Sequence, residues 1–218
     1  MDRVWQSWTS IWSGRPKVFG IGMGKTGTTS LERAFVDFGY RIGPQPKFER
    51  HFDEWFRGDN GKLLADIRRF EAFQDVPFCL PGTYRLLFEH FPRAKYVLTV
   101  RDSSEQWYNS LCRFHSKLFG KSGALPTEED LEAATYTSPG WVYRVSRVYG
   151  TPPGQPYHRE TLMKVYETHN REVQTFFAGS PHSLLVLNVA QPNAHARLAT
   201  FLGVDIVSQQ FPHLNKSA

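Results

Sequence analysis

Lys17-Val-Phe-Gly-Ile-Gly-Met-Gly-Lys-Thr-Gly-Thr-Thr-Ser30 is the most informative segment of the chain. Its first six residues have the apolar character of a short buried strand, and residues 23–27 form a glycine-rich turn. From residue 28 onward, apolar side chains recur at helical spacing, at Leu31, Ala34, Phe35 and Phe38. Gly39 then stands where a helix would end. The segment therefore predicts a strand, a loop and a helix in succession.

The same alternation continues along the rest of the chain. Apolar runs predict further strands at residues 40–43, 73–76, 94–100 and 183–189. Helical periodicity predicts helices at residues 28–38, 62–73, 84–91, 107–118, 158–177 and 193–203. Strands separated by helices are typical of parallel β-α-β units. We therefore expect an α/β fold of the P-loop NTPase-like type, with three layers and a central parallel sheet that carries helices on both faces.

The composition predicts one folded domain. The chain has 218 residues, of which 40% are hydrophobic and 22% are charged, which is sufficient for a buried core. We predict a single domain over residues 1–218, in which residues 1–15 form an N-terminal arm or helix. No segment approaches the ~20 apolar residues of a membrane span, and residues 1–14 lack the apolar run of a signal peptide. These features predict a cytoplasmic protein.

Charge and cysteine content narrow the classes of ligand. The 26 basic and 21 acidic residues give a net charge of +5, which suits an anionic small molecule as well as a nucleic acid. The basic residues are scattered rather than clustered, so we do not expect a nucleic acid partner. Cys79 and Cys112 have no CxxC spacing and no neighbouring histidine cluster, which disfavours a zinc site and a disulfide scaffold.

The glycine-rich loop predicts an anion-binding site. A turn of this kind exposes successive backbone N–H groups, and the helix that follows adds the positive end of its dipole. Lys25 adds a full positive charge, and Thr28 and Thr29 add hydroxyl donors. A simple helix cap would not require a lysine between Gly24 and Gly27.

Two common phosphate-loop patterns match this segment incompletely. The Walker A pattern requires a glycine, then four intervening residues, then Gly-Lys-[Ser/Thr]; residues 24–26 supply its end, but Phe19 occupies the first glycine position, and Gly20 comes one residue too late. Arg101, and not a carboxylate, follows the strand predicted at residues 94–100. The dinucleotide pattern G-x-G-x-x-G is matched by Gly22, Gly24 and Gly27, but residues 40–45 offer no acidic residue for a ribose.

Lys25-Thr-Gly-Thr-Thr29 resembles the 5′-phosphosulfate loop of sulfotransferases that use 3′-phosphoadenosine 5′-phosphosulfate (PAPS). In that family a Lys-[Ser/Thr]-Gly-Thr-[Thr/Leu] element joins the first strand to the first helix. The resemblance implies that PAPS is bound by the loop residues Gly24, Lys25, Thr26, Gly27, Thr28 and Thr29. It also implies that Lys25 stabilises the charge on the bridging oxygen as the S–O bond breaks, and that no metal is required.

A second element resembles the 3′-phosphate site of the same family. Tyr96-Val-Leu-Thr-Val-Arg101 ends on an arginine, whose planar guanidinium suits bidentate phosphate binding. The family places a serine eight residues later, where this chain has Asn109, and Ser110 lies nine residues after Arg101. Strings at residues 73–77, 91–97, 166–171 and 211–215 resemble a bacterial-type subfamily in the same order along the chain.

The resemblance also implies an in-line transfer to a small-molecule hydroxyl or amine, for which a base must accept a proton. Asp75 is the first candidate, because it lies at the predicted carboxyl end of a strand, where such folds bind ligands. His51 is the second candidate. Two other functions remain open at this point: a Mg²⁺-dependent P-loop kinase or phosphotransferase, and a non-catalytic nucleotide-binding domain.

Overall fold

A computed structural model describes residues 14–205. The string at residues 211–215 and the predicted N-terminal arm, apart from residues 14 and 15, lie outside the described residues. The strands are β1 (Val18–Gly20), β2 (Ala72–Phe73), β3 (Lys95–Thr99) and β4 (Leu184–Leu187). The α-helices of the described residues are α1 (Thr28–Asp37), α2 (Gln45–Glu49), α3 (Phe52–Phe56), α4 (Gly61–Ile67), α5 (Thr83–His90), α6 (Ser104–Leu118), α7 (Glu128–Ala133), α8 (Trp141–Arg147), α9 (Arg159–Phe176) and α10 (Ala194–Leu202).

The four strands form one sheet in the order β2-β1-β3-β4, and every neighbouring pair is parallel. Phe19 of β1 lies opposite Phe73 of β2 and Tyr96 of β3. β3 is the longest strand and also pairs with β4 along its length. The predicted parallel sheet is confirmed, with β1 and β3 at its centre.

Side chains alternate between the two faces of this sheet, and each face is buried by helices. One face carries Phe19, Phe73, Tyr96 and Leu98, which pack with residues of α2, α4, α5 and α9. The other face carries Val18, Ala72, Val97 and Leu187, which pack with residues of α1 and α10. The predicted three-layer α/β architecture is therefore confirmed, since helices cover both faces.

The prediction of a second strand at residues 40–43 is wrong. Only Ile42 forms an isolated bridge, to Ala72, in this segment. Pro44, which has no backbone N–H to donate to a neighbouring strand, is already the N-cap of α2, and the helix begins at Gln45. The strand predicted at residues 73–76 is shifted and short, because Asp75 adopts a positive φ of 63° and leaves the extended conformation.

Two glycines of the loop are required by close packing. A Cβ on Gly22 would lie 2.3 Å from the backbone oxygen of Thr99, so the loop that follows β1 lies too close to the end of β3 for any side chain at this position. Gly27 has a φ of 103°, and its Cβ would lie 2.4 Å from Val189. The loop is thus held tightly against the carboxyl ends of the central strands. No helix within residues 14–205 is both long and apolar enough to span a membrane.

Candidate functional site

The loop at residues 21–27 leaves β1 and delivers the chain to the N-terminus of α1. Lys25 and Gly27 have positive φ angles of 72° and 103°, which turn the backbone sharply around residue 26. Thr28 is the first residue of α1, as the sequence predicts, and no described side chain caps this helix. The uncapped N–H groups of the first turn are therefore available to an anion.

Three hydrogen bonds hold the loop in place. The Thr26 hydroxyl donates to the Met23 carbonyl at 2.7 Å and lies 2.6 Å from the Thr99 hydroxyl. The Trp107 indole N–H donates to the Gly24 carbonyl at 2.8 Å. Because the Thr26 side chain is fully buried, it faces the sheet and supports the loop. A ligand would meet the other side of the loop, where Lys25 and the helix N-terminus lie.

The guanidinium of Arg101 reaches this loop from the end of β3. Its Nε donates to the Lys25 carbonyl at 2.8 Å, so Arg101 and the loop are in direct contact. Its backbone N–H donates to the Tyr166 hydroxyl at 2.9 Å, and the Tyr166 ring stacks on Trp107 at 4.8 Å. Among residues 14–205, no side chain or carbonyl accepts a hydrogen bond from its two terminal nitrogens, which can therefore bind a phosphate.

Asn109 and Ser110, the two candidates for the position of the family's serine, lie on different faces of α6. Asn109 is exposed, whereas Ser110 is half-buried. Ser110 is three residues after Trp107 and four before Phe114, so these three residues share one helical face. That face lies against the loop, since Trp107 bonds Gly24 and Phe114 contacts Lys25. Ser110 is therefore better placed than Asn109 to reach a ligand beside Arg101.

A cavity of about 260 Å³ opens beside the loop. It brings together residues that the sequence predicts for the site, namely Gly24, Lys25, Thr28, Thr29 and Asp75. Its aromatic lining comes from Trp107, Phe114, Phe119, Tyr136, Trp141 and Tyr149. A concave site that combines aromatic walls with a few convergent polar groups is typical of small-molecule binding.

The Lys25 ammonium lies inside this cavity, with Nζ 3.1 Å from the ring centroid of Phe114. Burial lowers the pKa of Lys25 to about 8; the Asp75 charge opposes this shift, and the Arg101 charge adds to it. The aromatic face supports the cation when no anion is bound. A negatively charged ligand would favour the protonated form of Lys25 and draw it from Phe114 to the loop.

Asp75 stands at the carboxyl end of β2, beside the N-terminus of α1. Its Oδ1 accepts from the Val76 N–H at 2.9 Å, and the Thr28 hydroxyl lies 3.5 Å from its Oδ2. Burial raises the pKa of Asp75, although the Val76 hydrogen bond and the Lys25 charge lower it in part. A carboxylate with a raised pKa is a stronger proton acceptor than an exposed aspartate. One cavity therefore contains both a carboxylate that can act as a base, Asp75, and an ammonium group, Lys25.

His51 does not line the cavity that holds Lys25 and Asp75. Its Nδ1 lies 3.1 Å from the Glu54 carboxylate, and its Nε2 lies 3.0 Å from the Asp66 carboxylate. Both ring nitrogens are occupied by these contacts, and His51 is absent from the lining of the cavity that holds Lys25. The structure thus brings Asp75, and not His51, to the predicted anion loop.

His115 and Glu49 are among the titratable residues of the cavity that were not predicted from the sequence. His115 binds the Tyr157 hydroxyl through Nδ1 at 2.8 Å, and burial lowers its pKa to about 4, with a smaller contribution from the Lys25 charge. Glu49 lies at the end of α2, a short helix that the periodicity did not reveal. The apolar face of α6 was a usable signal for His115, which lies four residues after the buried Leu111, whereas no local pattern marks Glu49.

Comparison with known protein families adds an independent observation. The model of a family described as the sulfotransferase domain matches residues 17–218. No curated protein matches the chain at a significant level. The match begins next to β1 and includes the loop, Asp75 and Arg101, so it covers all parts of the site described above.

Proposed function

This chain belongs to the sulfotransferase domain family, and we propose that it transfers a sulfuryl group from PAPS to a hydroxyl or amine of a small-molecule acceptor. The observation that carries this proposal is the single cavity that contains Lys25, the N-terminus of α1 and Asp75. An anion-binding loop and a base are the two parts that such a transfer requires. Both open into one space of small-molecule size.

The 5′-phosphosulfate of PAPS would bind the loop. Lys25, the hydroxyls of Thr28 and Thr29, and the uncapped N–H groups of α1 all supply hydrogen-bond donors for its oxygens. The 3′-phosphate would bind the terminal nitrogens of Arg101, with Ser110 as the neighbouring hydroxyl. This arrangement is supported by the bond from Arg101 to the Lys25 carbonyl, which brings the Arg101 side chain next to the loop.

The transfer is an in-line displacement at sulfur. The acceptor oxygen or nitrogen forms a bond to sulfur while the bond from sulfur to the bridging phosphate oxygen breaks, and Asp75 accepts the acceptor proton. The leaving group is 3′-phosphoadenosine 5′-phosphate (PAP), whose developing charge Lys25 stabilises. No step of this scheme requires a metal.

A thermal-shift measurement with four ligands tests the donor. We expect PAPS and PAP to stabilise the protein, by about 2.7 kcal/mol when the ligand is at 100 times its Kd. ATP with Mg²⁺ and NAD serve as the ligands of a P-loop kinase and of a dinucleotide enzyme. Stabilisation by ATP with Mg²⁺ alone would replace the proposal with a phosphotransferase, and stabilisation by NAD alone would replace it with an oxidoreductase.

Arg101→Ala should weaken PAP much more than its 3′-dephospho analogue AMP. A hydrogen bond to a charged group typically contributes about 1.5–3 kcal/mol, so the Kd for PAP should rise about 10- to 100-fold. Isothermal titration calorimetry with both nucleotides measures the difference.

Arg93→Ala is a matched control, because Arg93 is an exposed arginine before the other end of β3 and should leave both affinities unchanged. Ser110→Ala should weaken PAP in the same direction as Arg101→Ala, while Asn109→Ala should have no effect. Equal weakening of PAP and AMP by Arg101→Ala would show that the arginine supports the loop without binding the 3′-phosphate.

A further inference from the structure

Glu49 is a second carboxylate in the cavity that holds Lys25 and Asp75. The residue is only 4% exposed, and both carboxylate oxygens have neutral partners. The Gln45 side-chain N–H donates to its Oε1 at 2.8 Å, and the Thr137 hydroxyl donates to its Oε2 at 3.0 Å. These two bonds fix the orientation of the carboxylate at the cavity wall.

No cation in the described part of the chain neutralises Glu49. None of the ion pairs within residues 14–205 includes it. Burial raises the pKa of Glu49; the hydrogen bonds from Gln45 and Thr137 lower it in part, and the like charge of Asp75 adds to the rise. A buried carboxylate without a counter-ion is costly. A ligand that brings a positive charge into the cavity would remove this cost.

Two aromatic residues, Tyr136 and Trp141, line the cavity together with Glu49. The Trp141 indole N–H donates to the backbone carbonyl of Glu49 at 3.1 Å, and the Tyr136 ring lies 5.7 Å from the Trp141 ring. Tyr136 lines the same cavity as Glu49 and Asp75, and burial together with the charges of these two carboxylates raises the pKa of its phenol. Aromatic faces beside a carboxylate form a favourable environment for an organic cation.

We propose that Glu49 binds a protonated amine of the acceptor and thereby determines which acceptors are used. A protonated amine has no lone pair for attack at sulfur, so the reacting group is a hydroxyl on the same molecule. The aromatic walls favour a ring between the two groups. The acceptor class is therefore a small phenol or alcohol that carries an ammonium group. This inference rests on the proposed sulfotransferase function.

Two phenols of nearly equal shape test the proposal. Tyramine carries an ammonium group, and 4-propylphenol carries a methyl group at the same position. With PAPS as donor, we expect kcat/KM for tyramine to exceed that for 4-propylphenol at least tenfold. Glu49→Gln keeps the size of the side chain and an oxygen acceptor, and it should abolish this preference by reducing the tyramine value at least tenfold. The value for 4-propylphenol should change less than twofold.

Glu132→Gln is the control, because Glu132 is an exposed glutamate outside the cavity; it should keep the preference of the original protein. PAP binding, measured in the same samples, tests the proposed function separately and reports whether each variant is folded. If PAP binds and tyramine has no advantage over 4-propylphenol, or neither phenol is sulfated, Glu49 does not select a cation. The comparison of tyramine with 4-propylphenol uses the original protein, so its outcome does not depend on whether any variant folds. Retention of the tyramine advantage in Glu49→Gln would equally overturn the proposal.

Discussion

Lys25→Ala should lower kcat by about a hundredfold or more, with a much smaller change in the KM for PAPS. The reason is that the bridging oxygen gains charge only as its bond to sulfur breaks, so the ammonium stabilises the transition state more than the bound donor. An interaction made mainly in the transition state appears in kcat. Steady-state rates of PAP formation with a saturating acceptor measure both constants.

Lys117→Ala is the matched control for this loss. Lys117 is an exposed lysine on α6, so its removal changes the net charge equally and should leave kcat unaltered. An effect of Lys25→Ala confined to KM, with kcat intact, would mean that the lysine only binds the donor.

The pH profile gives a second readout for Lys25. Because its pKa is lowered to about 8 and only the protonated form carries the charge, kcat/KM for PAPS should fall as the pH rises through that value. Bound PAPS favours the ammonium, so the corresponding fall in kcat should occur at higher pH. The alkaline limb near pH 8 should be absent in Lys25→Ala.

Asp75→Asn should suppress transfer by about a hundredfold to ten-thousandfold, the range of a general base, and should leave PAP affinity within about twofold. Asparagine preserves the shape of the side chain and an oxygen acceptor for the Val76 N–H, but it cannot accept the acceptor proton. Since burial raises the pKa of Asp75, activity should fall on the acidic side at a pH above the ordinary range of aspartate. That acidic limb should disappear in Asp75→Asn.

Two further variants complete this comparison. Asp59→Asn removes an exposed aspartate and should be fully active. His51→Ala should retain the catalytic rate of the original protein, because His51 lies between Glu54 and Asp66 and outside the cavity. Full activity of Asp75→Asn together with loss of activity in His51→Ala would assign the base to the histidine.

The parts of the fold that depend on local pattern could be predicted from the sequence. The start of α1 at Thr28 follows from glycines that permit a tight turn and from apolar residues at helical spacing. β3 is buried on both faces, and the consecutive residues Tyr96, Val97 and Leu98 indicate an interior parallel strand. The position of Arg101 near Lys25 then follows from topology, because the carboxyl ends of parallel neighbours meet at one edge.

Other parts depend on contacts that are distant in sequence. Glu49 enters the cavity because Thr137 and Trp141, far along the chain, bind its carboxylate and its carbonyl. The position of Glu49 could not be predicted from periodicity, because α2 has only five residues. The choice between Asn109 and Ser110 likewise required the direction of α6, which is set by the bond from Trp107 to the loop.

The transfer of ³⁵S from labelled PAPS, in a buffer that contains EDTA, is the most direct test of sulfuryl transfer by this protein. The acceptors are tyramine and a mixture of small phenols, alcohols and amines. We predict labelled acceptor and an equal amount of PAP with the original protein, and at least a hundredfold less of both with Lys25→Ala. No labelled acceptor and no binding of PAP, together with Mg²⁺-dependent transfer of phosphate from ATP, would contradict a sulfotransferase.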